Sequence, residues 1–225
     1  MGRERGRFGI SGRVSVRQRT RDKILRIGID FDNTIAGYDH LFLTIARERG
    51  LVPESFAGSK KSIRDAIRMR PNGELAWTEL QGVVYGARMA EAEIIAGVAP
   101  FLSECRGRGV PVHIVSHKTR FAARDPLNIN LHDASTAWLE AHGFFDRFGI
   151  PREMVFFEPT REDKCRRIGA LGLSHFIDDL EEVFHEPSFP TGVERYLLNA
   201  DCATSSRFKT FAAWQDIQDD IFGAR

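Results

Sequence analysis

Short apolar runs and amphipathic segments alternate along this chain of 225 residues. The apolar runs have the length of buried strands, and the segments between them repeat apolar side chains at helical spacing. Strands that alternate with helices predict a parallel sheet with helices on both faces and right-handed crossovers. The pattern therefore predicts a three-layer α/β/α fold around a Rossmann-like sheet. The predicted strands lie within residues 27–35, 110–116, 154–158, 174–179 and 194–199.

The segment between the first two predicted strands interrupts this alternation because it is helical throughout. Asp39 is predicted to cap a first helix, a basic helix is predicted at residues 60–70, and a long helix is predicted from Glu74 to Ile95. We therefore predict a small helical domain at residues 37–96, inserted after the first strand. The other predicted parts are a core, residues 24–36 and 97–225, and an N-terminal tail, residues 1–23.

The first predicted strand, IGIDFDNTI, ends in two carboxylates, Asp30 and Asp32. Unpaired carboxylates are costly to bury, so acids at the end of a buried strand generally face a cation, a ligand or a cleft. In parallel sheets, ligands bind beyond the carboxyl ends of the strands. The D-x-D pattern alone is weak evidence, because it also occurs in Asx turns and in the metal-binding pair of sugar-nucleotide transferases. The later strand ends decide between these readings.

Polar residues of matching chemistry follow the later strands. Ser116 ends the second strand, Lys164 lies in the helix after the third, and Asp178 and Asp179 follow the fourth. Each has an ordinary alternative: a strand-end hydroxyl, a solvated helix charge, or acids that begin a helix. Because carboxyl ends of parallel strands share one sheet edge, we expect the set to lie together. Other candidates for the basic role are Lys118, Arg120 and Arg161.

This set, in this order, resembles the four motifs of the haloacid dehalogenase (HAD) superfamily of phosphohydrolases. The first motif, D-x-D-x-T, is matched at residues 30–34, and Ser116, Lys164 and the Asp178–Asp179 pair match the other three. The resemblance covers residues 25 to about 200. The position and helical character of the insertion are similar to the C1-type cap of this superfamily. The resemblance implies the HAD-like version of the α/β fold.

The chemistry expected of these residues is hydrolysis of a phosphomonoester with Mg²⁺ as the cofactor, since oxygen ligands and phosphate favour that ion. Asp30 would be nucleophile and metal ligand, forming an aspartyl-phosphate. Asp32 would act as general acid and base, and the resemblance implies that its backbone carbonyl binds the metal. Which of Asp178 and Asp179 is the direct metal ligand stays open. The predicted phosphate-binding residues are Thr34, Ser116 and Lys164, and the predicted metal site is Asp30, Asp32, Asp178 and Asp179.

The expected substrate is a small phosphorylated metabolite, a sugar phosphate or a nucleotide, because a lid over the site would exclude bulky polymers. Lys60, Arg64 and Arg68 form a basic stripe on the insertion, which either meets a second anionic group of the substrate or is a solvated helix face. Trp77 and Tyr85 either stack on a base or sugar or pack between helices. Hydrolysis and transfer to another hydroxyl are not distinguished by these residues.

Composition is that of a soluble globular protein, with 42% hydrophobic and 28% charged residues and no apolar run long enough to span a bilayer. Cys105, Cys165 and Cys202 are far apart, which favours reduced thiols in a cytoplasmic protein over a disulfide framework or a zinc site. No membrane partner is expected. We therefore predict a cytoplasmic enzyme of undetermined oligomeric state.

The N-terminal tail concentrates positive charge: residues 1–23 contain eight Arg or Lys against Glu4 and Asp22. Rich in Gly and Arg and without periodicity, the tail is predicted to be disordered. It leaves open two alternatives to a metabolite phosphatase. One is a polynucleotide phosphatase or nucleic-acid-end-binding protein that uses the tail. The other is a non-catalytic interaction protein that retains the site residues.

Overall fold

Six parallel strands form the central sheet in the computed structural model, which describes residues 24–125, 127–199 and 207–224. The strand order in this sheet is β5-β4-β1-β6-β7-β8, while β2 and β3 pair antiparallel in a separate ribbon. In chain order the strands are β1 (Ile27–Ile29), β2 (Ala36–Gly37), β3 (Glu93–Ile94), β4 (Val112–His117), β5 (Val155–Glu158), β6 (His175–Asp178), β7 (Glu194–Leu198) and β8 (Lys209–Phe211).

Helices cover both faces of the sheet and complete three layers. Side chains of α4, α5 and α8 pack in one buried apolar cluster with Ile27 and Ile29 of β1, whereas side chains of α6 and α7 pack in a second cluster with Phe176 of β6. The predicted α/β/α architecture is confirmed. In chain order the helices are α1 (Asp39–Glu48), α2 (Lys60–Arg68), α3 (Gly73–Tyr85), α4 (Val98–Gly107), α5 (Leu131–Ala141), α6 (Arg161–Ala170), α7 (Glu181–His185) and α8 (Trp214–Phe222).

Alternation along β1 decides which layer each of its residues meets. Successive side chains of a strand point to opposite faces, so Gly28 and Asp30 face the layer of α6 and α7. A Cβ atom on Gly28 would lie 2.3 Å from Leu173 Cδ1 and 2.6 Å from Phe176 Cδ2. Glycine at this position therefore permits close packing of that layer directly below Asp30.

The predicted helix from Glu74 to Ile95 is wrong beyond Tyr85. Gly86 leaves helical geometry at φ −108° and ψ −94°. A single 3₁₀ turn follows at Met89–Glu91, and the chain then pairs as β3 with β2. The chain pairs as a strand here instead of continuing as a helix because the ribbon satisfies its backbone groups. Ile95 N, for example, donates to Ile35 O at 2.9 Å. The insertion therefore starts and ends at one ribbon.

Smaller differences concern helix and strand ends. Asp39 is the first residue of α1 rather than its cap, and Tyr38 occupies the cap position without a side-chain bond. Thr160 is the cap of α6, because its hydroxyl accepts from Asp163 N at 3.0 Å. Strand β8 was not predicted; its three residues form a strand by pairing with β7 in parallel.

Several predictions fall outside the described residues or bear on membrane insertion. The basic tail, residues 1–23, and Cys202 lie outside the part of the chain that the structure describes. Cys105 and Cys165 are buried free thiols. Among the described helices, none has both the length and the apolar character needed to cross a bilayer.

Candidate active site

Lys164 joins two carboxylates at the carboxyl end of the sheet. Its Nζ donates to Asp30 Oδ1 and to Asp178 Oδ2, both at 2.6 Å. All three residues are buried. Burial alone would lower the pKa of Lys164, but the charges of Asp178 and Asp30 raise it above the ordinary value, so this side chain is a cation. The topology explains the meeting, because β1 and β6 are neighbours and α6 returns across the same face.

Asp30, Asp178 and Asp179 form a group of carboxylates whose oxygens could hold one ion. Each offers an oxygen, and these atoms lie within 4.8 Å of one another. Burial, together with the charge of Asp178, raises the pKa of Asp30 to about 7 despite Lys164. Burial and the neighbouring Asp30 raise the pKa of Asp179 to about 8. One lysine does not neutralise three carboxylates, of which Asp30 and Asp178 are buried and Asp179 is half-buried, so the charge of the site is more nearly balanced when a cation binds.

Asp32 lies apart from this group and has its own partners. Lys118 Nζ contacts both of its carboxylate oxygens, at 3.0 and 2.9 Å, and the Tyr38 hydroxyl donates to Oδ1 at 2.6 Å. Lys118 is buried beside the rings of Phe31 and Tyr85. The side chain of Asp32 is therefore held by a cation and a phenol, and not among the three clustered carboxylates. That arrangement is compatible with a metal role limited to its backbone carbonyl.

A cavity of about 530 Å³ lies over these residues. The core contributes Asp30, Asp32, Ser116, Lys118 and Lys164 to its walls. Ser116 is buried near the end of β4, and Lys118 follows it by two residues. The insertion contributes Lys60, Thr78, Gln81 and Tyr85 to the same cavity. A small molecule held here would contact both parts of the chain.

Thr34 is not among the residues that line this cavity. It is fully buried, and its Oγ1 is 3.4 Å from Asp179 Oδ1. Its carbonyl accepts a hydrogen bond from Trp214 Nε1 at 3.1 Å, so α8 fixes the position of the loop that follows β1. The structure thus brings the predicted phosphate-binding residues Ser116 and Lys164 to the cavity, and places Thr34 against a carboxylate of the predicted metal site.

The predicted basic stripe separates into different environments. Lys60 turns into the cavity, whereas Arg64 pairs with Asp65 and Arg68 pairs with Glu74 at the surface. The cause is packing: α2 buries Ile63 and Ile67, which leaves only its first residue directed toward the site. Of the two aromatic residues, Trp77 stacks on Phe42 inside the insertion and Tyr85 lines the cavity.

The histidines near β4 have secondary positions. His113 is buried within the strand, and burial lowers its pKa. His117 lines the cavity, its Nε2 lies 3.1 Å from Pro159 O, and partial burial lowers its pKa. Tyr38 is a site residue that the sequence analysis missed. Its one signal was its place at the start of the insertion, where the chain leaves β2.

Comparisons with known proteins give structural matches alone. No family model matches the sequence, and no curated protein matches it. A haloacid dehalogenase-like hydrolase from Streptococcus pneumoniae aligns with a TM-score of 0.56 at 13% identity, covering 88% of this chain and 99% of the other. Protein tyrosine kinase A of Mycobacterium tuberculosis aligns with a TM-score of 0.59 at 12% identity, covering 89% and 99%.

A third match is a protein described as a predicted phosphoglycolate phosphatase from Haemophilus somnus. It aligns with a TM-score of 0.55 at 13% identity, covering 89% of this chain and 99% of the other. At identities this low, the structural alignments show the fold and do not determine the activity. The names of the matched proteins also refer to different activities. The chain therefore has a HAD-like fold, as the motif resemblance implied.

Proposed function

We propose that the protein is a Mg²⁺-dependent phosphatase that hydrolyses a small phosphorylated metabolite through an aspartyl-phosphate. The observation that carries this proposal is the group of Asp30, Asp178, Asp179 and Lys164 at the carboxyl edge of the sheet, of which Asp30 and Lys164 line the cavity. Buried carboxylates with raised pKa values are typical of functional sites. A cytoplasmic location is part of the same proposal and is supported by the free thiols of Cys105 and Cys165.

The donor set fits a hard divalent cation. Asp30, Asp178 and Asp179 supply oxygen ligands, and Thr34 supports Asp179. The backbone carbonyl of Asp32 would be a further ligand. Bound Mg²⁺ would offset the negative charge of the phosphoryl group and of these carboxylates.

Asp30 is the proposed nucleophile. Its carboxylate oxygen forms a bond to phosphorus as the bond from phosphorus to the ester oxygen breaks. Lys164 is in contact with Asp30, so it offsets charge that Asp30 shares with the phosphoryl group. Ser116, on the same cavity wall, would hold a phosphoryl oxygen through its hydroxyl. The product of this step is an acyl phosphate on Asp30 and an alkoxide that needs a proton.

Asp32 is the proposed general acid and base. Asp32 takes up a proton from solvent before the reaction and gives it to the leaving oxygen. As the carboxylate it then takes a proton from the water that attacks the acyl phosphate, which releases phosphate, restores Asp30 and leaves Asp32 protonated for the next turnover. Lys118 and Tyr38 hold its carboxylate, which keeps it directed into the cavity. A dehalogenase needs no second acid, so this residue favours phosphoryl chemistry.

The insertion, residues 37–96, is proposed to be a cap. It contributes Lys60, Thr78, Gln81 and Tyr85 to the cavity that Asp30 and Asp32 also line. A volume of about 530 Å³ is that of a pocket for one small ligand, which supports a sugar phosphate or nucleotide over a polymer. The nucleic-acid alternative depends on residues 1–23, outside the described part of the chain, and stays a prediction.

The test is phosphate release from a panel of phosphomonoesters, in Mg²⁺ and in EDTA, by wild type and Asp30→Asn. Asp146→Asn is the matched control, because Asp146 is exposed and does not line the cavity. We expect Mg²⁺-dependent release that Asp30→Asn abolishes and Asp146→Asn retains. Wild-type rates in Asp30→Asn would refute the assigned nucleophile. Absence of release by folded wild type from every compound would refute the phosphatase itself.

A further inference from the structure

Lys60 is the first residue of α2, and its amine points into the cavity. Nζ donates to the Tyr85 hydroxyl at 2.7 Å and lies 5.1 Å from the centre of the Phe42 ring and 5.4 Å from that of Tyr85. The contact with the Phe42 ring and the hydrogen bond to Tyr85 favour a cation at this place. The insertion thus positions this ammonium group in the cavity that Asp30 and Ser116 also line.

The other basic residues of the cavity wall are already paired. Lys164 contacts Asp30 and Asp178, Lys118 contacts both oxygens of Asp32, and Arg161 lies 3.8 Å from Glu186. Lys60, in contrast, forms no ion pair with any carboxylate among the residues that the structure describes. Burial lowers its pKa, and the more distant charges of Asp32 and Asp179 oppose that effect. A mostly buried ammonium without a counter-ion is costly unless an anion binds beside it.

Tyr85 can supply the second contact. Its oxygen accepts a hydrogen bond from Lys60, so its hydroxyl proton remains for another acceptor. Burial raises the pKa of Tyr85 well above the ordinary value, which keeps that proton in place. An ammonium and a phenol that converge on one space are complementary to a carboxylate or phosphate oxygen.

We propose that Lys60 and Tyr85 form an anion subsite, so that the substrate carries a carboxylate or a second phosphate in addition to the phosphoryl group that is hydrolysed. This inference rests on the proposed phosphatase function and narrows its substrate class. Lys60 and Tyr85 contact the part of the substrate that does not react, and they determine specificity. A phosphomonoester with no second anionic group would fill the phosphoryl subsite and leave Lys60 without a counter-ion.

Inert phosphonates test the subsite without any turnover. Phosphonoacetate, 3-phosphonopropionate and 4-phosphonobutyrate are compared with alkylphosphonates of the same length, and methylenediphosphonate tests a second phosphate. Dissociation constants are measured by titration calorimetry in Mg²⁺. A charge-assisted hydrogen bond corresponds to a gain in affinity of roughly 10- to 100-fold. We therefore expect at least one of the carboxylate-bearing phosphonates, or methylenediphosphonate, to bind that much more tightly than the alkylphosphonate control.

Three variants assign the effect to residues. Lys60→Gln is expected to remove the preference, Tyr85→Phe to reduce it, and Lys61→Gln to retain it, since Lys61 is exposed on the same helix turn. Circular dichroism and thermal unfolding establish that each variant is folded. The subsite would be overturned if wild type bound the phosphonates with a second anionic group no more tightly than the alkylphosphonates. It would also be overturned if folded Lys60→Gln and folded Tyr85→Phe both kept the wild-type preference.

Failure of the subsite and failure of the phosphatase are separable. If a monoester without a second anionic group is hydrolysed in a reaction that requires Mg²⁺ and Asp30, and analogues with a second anionic group bind no more tightly than alkylphosphonates, the subsite alone is refuted. If no phosphonate binds and no monoester is hydrolysed, both proposals are refuted. Comparing the affinities of the carboxylate-bearing phosphonates with that of methylenediphosphonate identifies which anion the subsite binds.

Discussion

Replacement of Lys164 by methionine tests the electrostatics of the site most directly. Methionine keeps much of the side-chain volume but removes the ammonium group that contacts Asp30 and Asp178, both at 2.6 Å. The variant leaves two carboxylates buried without their counter-ion. Breaking a buried ion pair in this way typically costs about 3–5 kcal/mol of unfolding free energy.

The loss of unfolding free energy in this variant should depend on pH, and the protonation of Asp30 determines whether it grows or shrinks as pH rises. Burial raises its pKa to about 7, although Lys164 lowers it. At pH 6 Asp30 is therefore mostly protonated, and the variant loses chiefly the contact with Asp178, about 1.5–3 kcal/mol for a hydrogen bond between charged groups. At pH 8 wild-type Asp30 is ionised and paired, so both contacts are lost and the cost rises to about 3–5 kcal/mol. The destabilisation thus grows as pH rises through the folded-state pKa of Asp30.

Urea unfolding in EDTA at pH 6 and pH 8, followed by tryptophan fluorescence, measures both values. Lys61→Met is the control, because Lys61 is exposed and its replacement should change stability by less than about 0.5 kcal/mol. An equal loss at the two pH values would contradict the assigned protonation of Asp30. A loss below about 1 kcal/mol at pH 8 would mean that Lys164 does not compensate buried charge.

Two further predictions concern the metal site and the strand that supports it. Mg²⁺ must displace protons from Asp30 and Asp179, whose pKa values burial raises to about 7 and about 8, so its affinity should fall as pH drops from 8 to 6, by about tenfold per pH unit for each proton released. Calorimetric titrations in buffers of different ionisation enthalpy measure this, and an affinity independent of pH would contradict it. Gly28→Ala should cost about 1–3 kcal/mol in urea unfolding, because its Cβ would lie 2.3 Å from a buried leucine methyl. Gly107→Ala, where a Cβ meets nothing within 4 Å, is its control and should not be destabilised; similar losses in both variants would refute the packing argument.

The alternation of strands and helices could be predicted from the sequence because apolar residues follow one another in buried strands but recur at helical spacing in amphipathic helices. Parallel topology then implied that Asp30, Ser116 and Asp178 share one sheet edge, since each follows or ends its own strand. Lys164 reaches the same edge because Thr160 caps α6 and sets where the helix begins. These are consequences of local pattern and of the general rules for parallel sheets.

Tertiary structure decided what local pattern could not. The long predicted helix ends at Tyr85 because β2 and β3, distant in sequence, satisfy each other's backbone. The basic stripe had equal helical spacing throughout, yet only Lys60 enters the cavity, because Ile63 and Ile67 anchor α2 on the other side.

The partners of individual charged groups were also beyond the sequence. Asp30 pairs with Lys164 while Asp32, two residues away, pairs with Lys118 and Tyr38. Neighbouring residues of one motif thus enter different electrostatic environments, because each turns toward a different element. Spacing along the chain determined which residues reach the site. Burial and the choice of counter-ion, which set the protonation and the proposed role of each group, arise only when the elements pack.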